Sequence, residues 1–176
     1  MIGTRRLILR RWRDADVAPF HAMGQDVEVM RYLGPPSTIE RCRAIVAEQN
    51  AIADDYGRCF WAIERREDGV FLGFCGVEPG PAGTAIADLP EIGWRLARAA
   101  WGHGYATEAA QAALAAEWQR GVNHVHAITV PANTRSRAVM ERLGMAHDPD
   151  GDFDHPALAP GDPLRRHVLY RIARPA

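Results

Sequence analysis

The residue types and spacings best suited to chemistry lie in Glu91–Ala110, EIGWRLARAAWGHGYATEAA. There a strand-like run passes through Trp101-Gly102-His103-Gly104-Tyr105-Ala106 straight into an Ala-rich helix. Small residues at 102, 104 and 106 let the backbone come close to a ligand. The free N–H groups of a first helical turn, together with the helix dipole, favour an anion such as a pyrophosphate. A plain strand-to-helix turn with capping glycines would use the same residues. Two commoner glycine loops do not fit. A dinucleotide fingerprint needs Gly or Ala where Thr107 stands and an acidic residue near the end of the next strand, and Ile128-Thr129-Val130-Pro131 offers none. A P-loop needs Gly-Lys-Ser/Thr, and the sequence has no such run.

The second informative stretch is Thr129–Met145, TVPANTRSRAVMERLGM. Asn133 follows a strand and a proline, where it can cap a helix or offer its amide to a ligand. Ser136 lies three residues on, on the same helical face. His124 and His126 share one strand face without a third ligand at metal spacing, so no metal is expected. Asp148, Asp150, Asp152 and Asp154 resemble a calcium loop only superficially, because glycine falls at the wrong position and the closing Glu is missing.

Elements that position these residues can be read from periodicity and punctuation. Arg6–Trp12 alternates as a strand, with Leu7 and Leu9 on one side and Ile8 and Arg10 on the other. Asp14 or Asp16 can cap a short helix through His21 and Met23, and a second short helix is expected around Val27–Tyr32. After Gly34-Pro35-Pro36, Ser37 or Thr38 begins a longer helix to about Tyr56. Strands Cys59–Arg65 and Phe71–Val77 flank an Asp-Gly hairpin turn. Pro79–Pro90 reads as a loop, Glu91–Leu96 as a strand, and Gly104–Arg120 as a helix with Gly121 at its C-terminal end. Strand Val125–Val130, helix Thr134–Leu143 and a last strand Arg166–Ile172 follow. The result is a mixed α/β sheet with helices on both faces.

The 176 residues fit one domain, 1–176, and 47% hydrophobic content supplies a core. A net charge of −1 argues against nucleic acid as partner. Cys42, Cys59 and Cys75 are odd in number and lack a CxxC pair, which suits reduced thiols. No apolar run approaches membrane-spanning length, and the opening MIGTRRLILRRW breaks into charge too early for a signal peptide. A cytoplasmic protein with no membrane partner is expected.

Together the two informative stretches resemble the GNAT superfamily of acetyl-CoA-dependent N-acetyltransferases, and within it the RimJ/RimL branch that acts on ribosomal-protein N-termini. TRRLILRRW is similar to the branch's first strand, FWAIERREDGVFLGFCGV to its central hairpin, EIGWRLARAAWGHGYATEA to its CoA-binding motif and NTRSRAVMERLGM to the following helix. The resemblance implies a mostly antiparallel sheet of about six to seven strands. It implies that backbone N–H groups of Gly102, His103, Gly104, Tyr105, Ala106 and Thr107 hold the CoA pyrophosphate. Strand residues near Trp94 and Leu96 would pair with the pantetheine arm, and Asn133 would hydrogen-bond it. Trp101 stands where the family often has Gln or Arg, a change that backbone contacts tolerate. Met140 stands where many members place a Tyr that protonates the departing thiolate, and Met cannot donate. The branch's usual alternative falls on Ser136.

Such a reaction needs position, an oxyanion donor and a neutral amine, with no protein nucleophile. At pH 7 an α-amine with a pKa near 7.7–8.0 needs only about 1–1.4 kcal/mol to lose its proton, against about 4.6 for lysine. An N-terminal amine is therefore the less demanding acceptor. The backbone near Leu96 would polarise the thioester carbonyl. Glu91, on the strand leading to the CoA loop, is the first candidate base by the resemblance. His155, in the loop Phe153-Asp154-His155-Pro156, is the second. The acidic loop is expected to line the acceptor side and attract a cationic amine. A small amine, such as an aminoglycoside or polyamine, is the alternative acceptor, and a non-catalytic acyl-CoA sensor is the alternative of another class. The branch implies a monomer or homodimer.

Overall fold

The computed structural model describes residues 1–175. Short edge strand β1 (Ile2–Gly3) pairs with β2 (Leu7–Arg10), and helices α1 (Val17–Gly24), α2 (Val27–Met30) and α3 (Ile39–Tyr56) follow. Thr38 Oγ1 accepts from Arg41 N at 3.2 Å to start α3, and Gly57 ends it in the left-handed region. The hairpin β3 (Phe60–Arg65) and β4 (Phe71–Pro79) leads to β5 (Pro90–Leu96) and α4 (Tyr105–Gln119). Then come β6 (His124–Thr129), α5 (Thr134–Arg142), β7 (Ala146–His147), β8 (Phe153–Asp154) and β9 (Arg166–Ala173).

The strands form one nine-stranded sheet, ordered β1-β2-β3-β4-β5-β6-β9-β7, with β8 also paired to β9. Three strands exceed the sequence reading, and β1, β7 and β8 are two residues each. Runs that short carry no alternation signal; partners β2 and β9 create them. The sheet is antiparallel except between β5 and β6.

Period-two alternation divides the core. Leu7, Leu9, Ile63, Val77, Ile92, Leu96, Val125 and Ala127 pack with Tyr105, Ala109, Ala113 and Met140, so α4 and α5 cover one face. Trp12, Phe20, Val29, Cys42, Val46 and Ala62 form a second cluster under α1–α3 on the other. Arg10 belongs to that second face and is buried there. It donates to Asp16 at 2.7 and 2.8 Å and to Glu64 at 2.7 Å. Burial pushes the Asp16 carboxyl up, but bonds from Arg10 and Arg13 hold it below the usual range.

Candidate active site

The glycine loop is built as its composition requires. Gly104 caps α4 at φ +76° and Gly102 stands at φ +81°, conformations that side chains with a Cβ resist. The first-turn N–H groups of α4 have no intrahelical acceptor. Glu108, in that turn, would oppose an anion, but it is neutralised: it accepts from Thr4 Oγ1 at 2.6 Å, Arg6 N at 2.9 Å and Arg6 Nε at 2.6 Å. Trp101, to which the sequence assigned no contact, donates its indole N–H to Leu96 O at 2.9 Å and closes the turn. Arg135 from α5 lies over its ring at 4.5 Å, which adds a cation beside the cradle. Loop and flanking residues thus fit a phosphate-bearing group.

A seam runs beside this loop. β5 and β6 are joined by the register pair Glu91↔His126. Ala97 N–H donates toward β4, to Leu72 O at 2.9 Å, so by strand alternation the backbone polar groups of Trp94 and the N–H of Leu96 face β6, while Leu96 O accepts the Trp101 indole N–H. Those groups border the seam where the parallel strands have parted, a place for an extended amide-bearing arm to pair.

Glu91 sits at the closed end of the seam, opposite Glu78 in the β4–β5 register. Burial, then the nearby Glu78 charge, pushes its pKa up to about 8. Burial raises Glu78 too, although a 2.7 Å bond from Gln49 Nε2 opposes the rise. Sequence reasoning missed Glu78, because only register places it beside Glu91. A shallow groove of about 510 Å³, with Pro90, His124, His126 and Arg171 in its walls, opens next to this pair. His126 has its pKa lowered, first by burial. No group of metal-ligating side chains forms among the described residues.

The remaining candidates come from the start of α5, which follows β6, and from the segment after β8, which pairs with β9. Asn133 Oδ1 caps α5 by accepting from Ser136 N at 3.2 Å, and Nδ2 donates to Thr129 Oγ1 at 3.1 Å. Ser136 is half-buried in the first turn of α5, and Met140 below it is in the core. His155 packs beside His167 and Phe153, with ring centroids 5.2 and 6.2 Å away. Arg171 pairs with His126 at the level of Glu91, and His167 lies four residues up β9 from it, about 13 Å at 3.3 Å per residue. The two candidate bases therefore stand at different levels. The acidic loop is largely spent internally. Asp148 pairs with Arg171 at 3.4 Å, Asp152 with His147 at 2.9 Å and Asp154 with Arg165 at 3.2 Å. That pairing removes most of the charge expected to attract an amine.

Residues 6–146 match the family model described as an acetyltransferase (GNAT) domain. The chain belongs to the GNAT acetyltransferase family. A Bacillus subtilis relative, uncharacterized protein YkkB, is 34% identical over 81% of this chain and 83% of its own length. An acetyltransferase from Agrobacterium tumefaciens superimposes with a TM-score of 0.78 at 26% identity, covering 98% of this chain and 94% of that one. RimL, a ribosomal L7/L12 α-N-protein acetyltransferase solved with coenzyme A, shares the fold at a TM-score of 0.76 and 17% identity, covering 97% and 95%. No helix among the described residues is long and apolar enough to cross a membrane.

Proposed function

We propose that residues 1–176 act as one domain that transfers the acetyl group of acetyl-CoA to an α-amine at a protein or peptide N-terminus, by direct attack in a ternary complex. The observation that carries this reading is the cradle at Gly102–Thr107 opening onto a seam that has Glu91 at its closed end. RimL's named activity on an α-amine supports the choice of acceptor.

When bound, acetyl-CoA supplies an activated thioester. First-turn N–H groups of α4 would hold its pyrophosphate, and backbone groups of Trp94 and Leu96, with Asn133, its pantetheine arm. A Glu91 carboxylate with pKa about 8 matches an α-amine at about 7.7–8.0, so proton transfer between them is nearly isoenergetic. The N–H at Leu96 would polarise the carbonyl, and Ser136 Oγ would protonate the leaving sulfur.

The test is CoA release with N-terminal peptides set against polyamines and aminoglycosides. Peptides should turn over at least tenfold faster; the reverse order assigns a small-amine enzyme. Acetyl-CoA binding with no release on either panel would leave a sensor domain. Ser136→Ala should lower kcat by about ten- to a hundredfold, within the range of general acid catalysis, while acetyl-CoA affinity holds.

A further inference from the structure

Arg95 is an unpaired cation on the face of the sheet that α1 and α3 pack against. Alternation along β5 sets Glu91, Gly93 and Arg95 on the face away from α4, since Ile92 and Leu96 face it. Arg95 lies opposite Phe74, with its guanidinium 5.4 Å from the Phe74 ring and 6.0 Å from that of Phe20. Its Nε is sealed from solvent and has no hydrogen-bond partner. Among the described residues no carboxylate pairs with it. The one titratable group acting on it is the Cys42 thiol, which burial keeps neutral. Arg10, on the same face, shows how this fold treats a buried guanidinium that serves structure alone: it receives two carboxylates.

An unpaired, partly buried charge costs stability that aromatic faces offset only in part. A ligand anion would recover that cost, and the planar guanidinium suits carboxylate or phosphate. Between Glu91 and Arg95 the Phe60 ring covers Gly93, where a Cβ would come within 2.8 Å of it, so a peptide passing from one charge to the other would run over Phe60. Four residues of strand separate the two charged positions by about 13 Å. An extended peptide covers about 3.3–3.6 Å per residue, so an α-amine at Glu91 brings the fourth or fifth residue of an acceptor to Arg95.

We propose that Arg95 is the anion-recognising residue of the acceptor site, selecting an amine that carries a carboxylate or phosphate on its fourth or fifth residue. The proposal rests on the transferase reading above and names its substrate class.

The test uses peptides with N-terminal serine that differ only in having aspartate, phosphoserine or asparagine at the fourth or fifth position. Wild type should favour an anionic peptide over its asparagine counterpart by at least tenfold in kcat/KM, carried mainly by KM. The aspartate and phosphoserine arms identify which anion is preferred. In Arg95→Met the ratio should fall to near one, and in Arg95→Lys part of it should return. A wild-type ratio near one, or a ratio that survives Arg95→Met, overturns the proposal. If no peptide is acetylated the peptide-acceptor reading fails by itself. The subsite is then read from thermal stability in inorganic phosphate or succinate. Wild type should gain several degrees more than Arg95→Met, and equal gains overturn it.

Discussion

Asn133 spends both ends of its amide inside the protein, on Ser136 N and Thr129 Oγ1. Asn133→Ala should therefore lower unfolding free energy by about 0.5–2 kcal/mol, read from denaturant midpoints. If the same amide also holds the pantetheine arm, acetyl-CoA affinity should fall by about 1–2 kcal/mol in calorimetry. Unchanged affinity with reduced stability confines the residue to capping. Glu91 sets the second residue-level expectation. A base must be ionised to accept a proton, so with its pKa at about 8 the rate should climb with pH and level off above 8. Glu91→Gln should flatten that climb. Glu78→Gln removes a neighbouring negative charge and should move the climb toward acid. A wild-type profile flat from pH 6 to about 9 would exclude Glu91 as base.

The strand–loop–helix unit of β5 and α4 carries its geometry in Gly104, whose φ of +76° a branched residue resists. Gly104→Val should reduce acetyl-CoA affinity at least a hundredfold, and calorimetry showing wild-type affinity would detach the loop from the cofactor. This unit was legible in the sequence because its signals are local: small residues, an N-terminal helix turn and a strong Ala run. The hairpin was legible for the same reason, since Asp68-Gly69 encodes its turn, and Gly69 takes φ +72°. Elements made by distant partners were not. β7 and β8 exist only against β9, and Glu78 meets Glu91 only through the β4–β5 register. Arg95 carries no sequence signal of its own; its surroundings include Phe20 of α1, which is remote in sequence. Asp148, Asp152 and Asp154 looked available because their partners His147, Arg165 and Arg171 are chosen by the tertiary fold.

For the whole molecule, the burial that raises Glu91 from an ordinary 4.5 to about 8 makes stability depend on pH. Below the unfolded value both states hold the proton and nothing is lost. As pH rises from 4.5 toward 8 the unfolded chain releases its proton first, so stability falls, and above 8 the loss is complete. At about 1.4 kcal/mol for each tenfold change in proton affinity, the loss is on the order of a few kcal/mol. Glu91→Gln should remain folded to higher temperature than wild type at pH 9 and match it near pH 4, as followed by calorimetric Tm; equal Tm values at both would refute a buried Glu91. The seam has a separate meaning for the chain as an assembled object. β1–β5 lie on one side of the Glu91–His126 pair and β6, β9 and β7 on the other, and the chain crosses between them through α4. A cut at the exposed Gly121 turn would divide the polypeptide along its own joint. The two fragments would be matched by the shared core of α4 with Val125, Ala127 and Met140. A small molecule lying in the seam would then act as a template for their complementation, which makes this fold a natural split reporter.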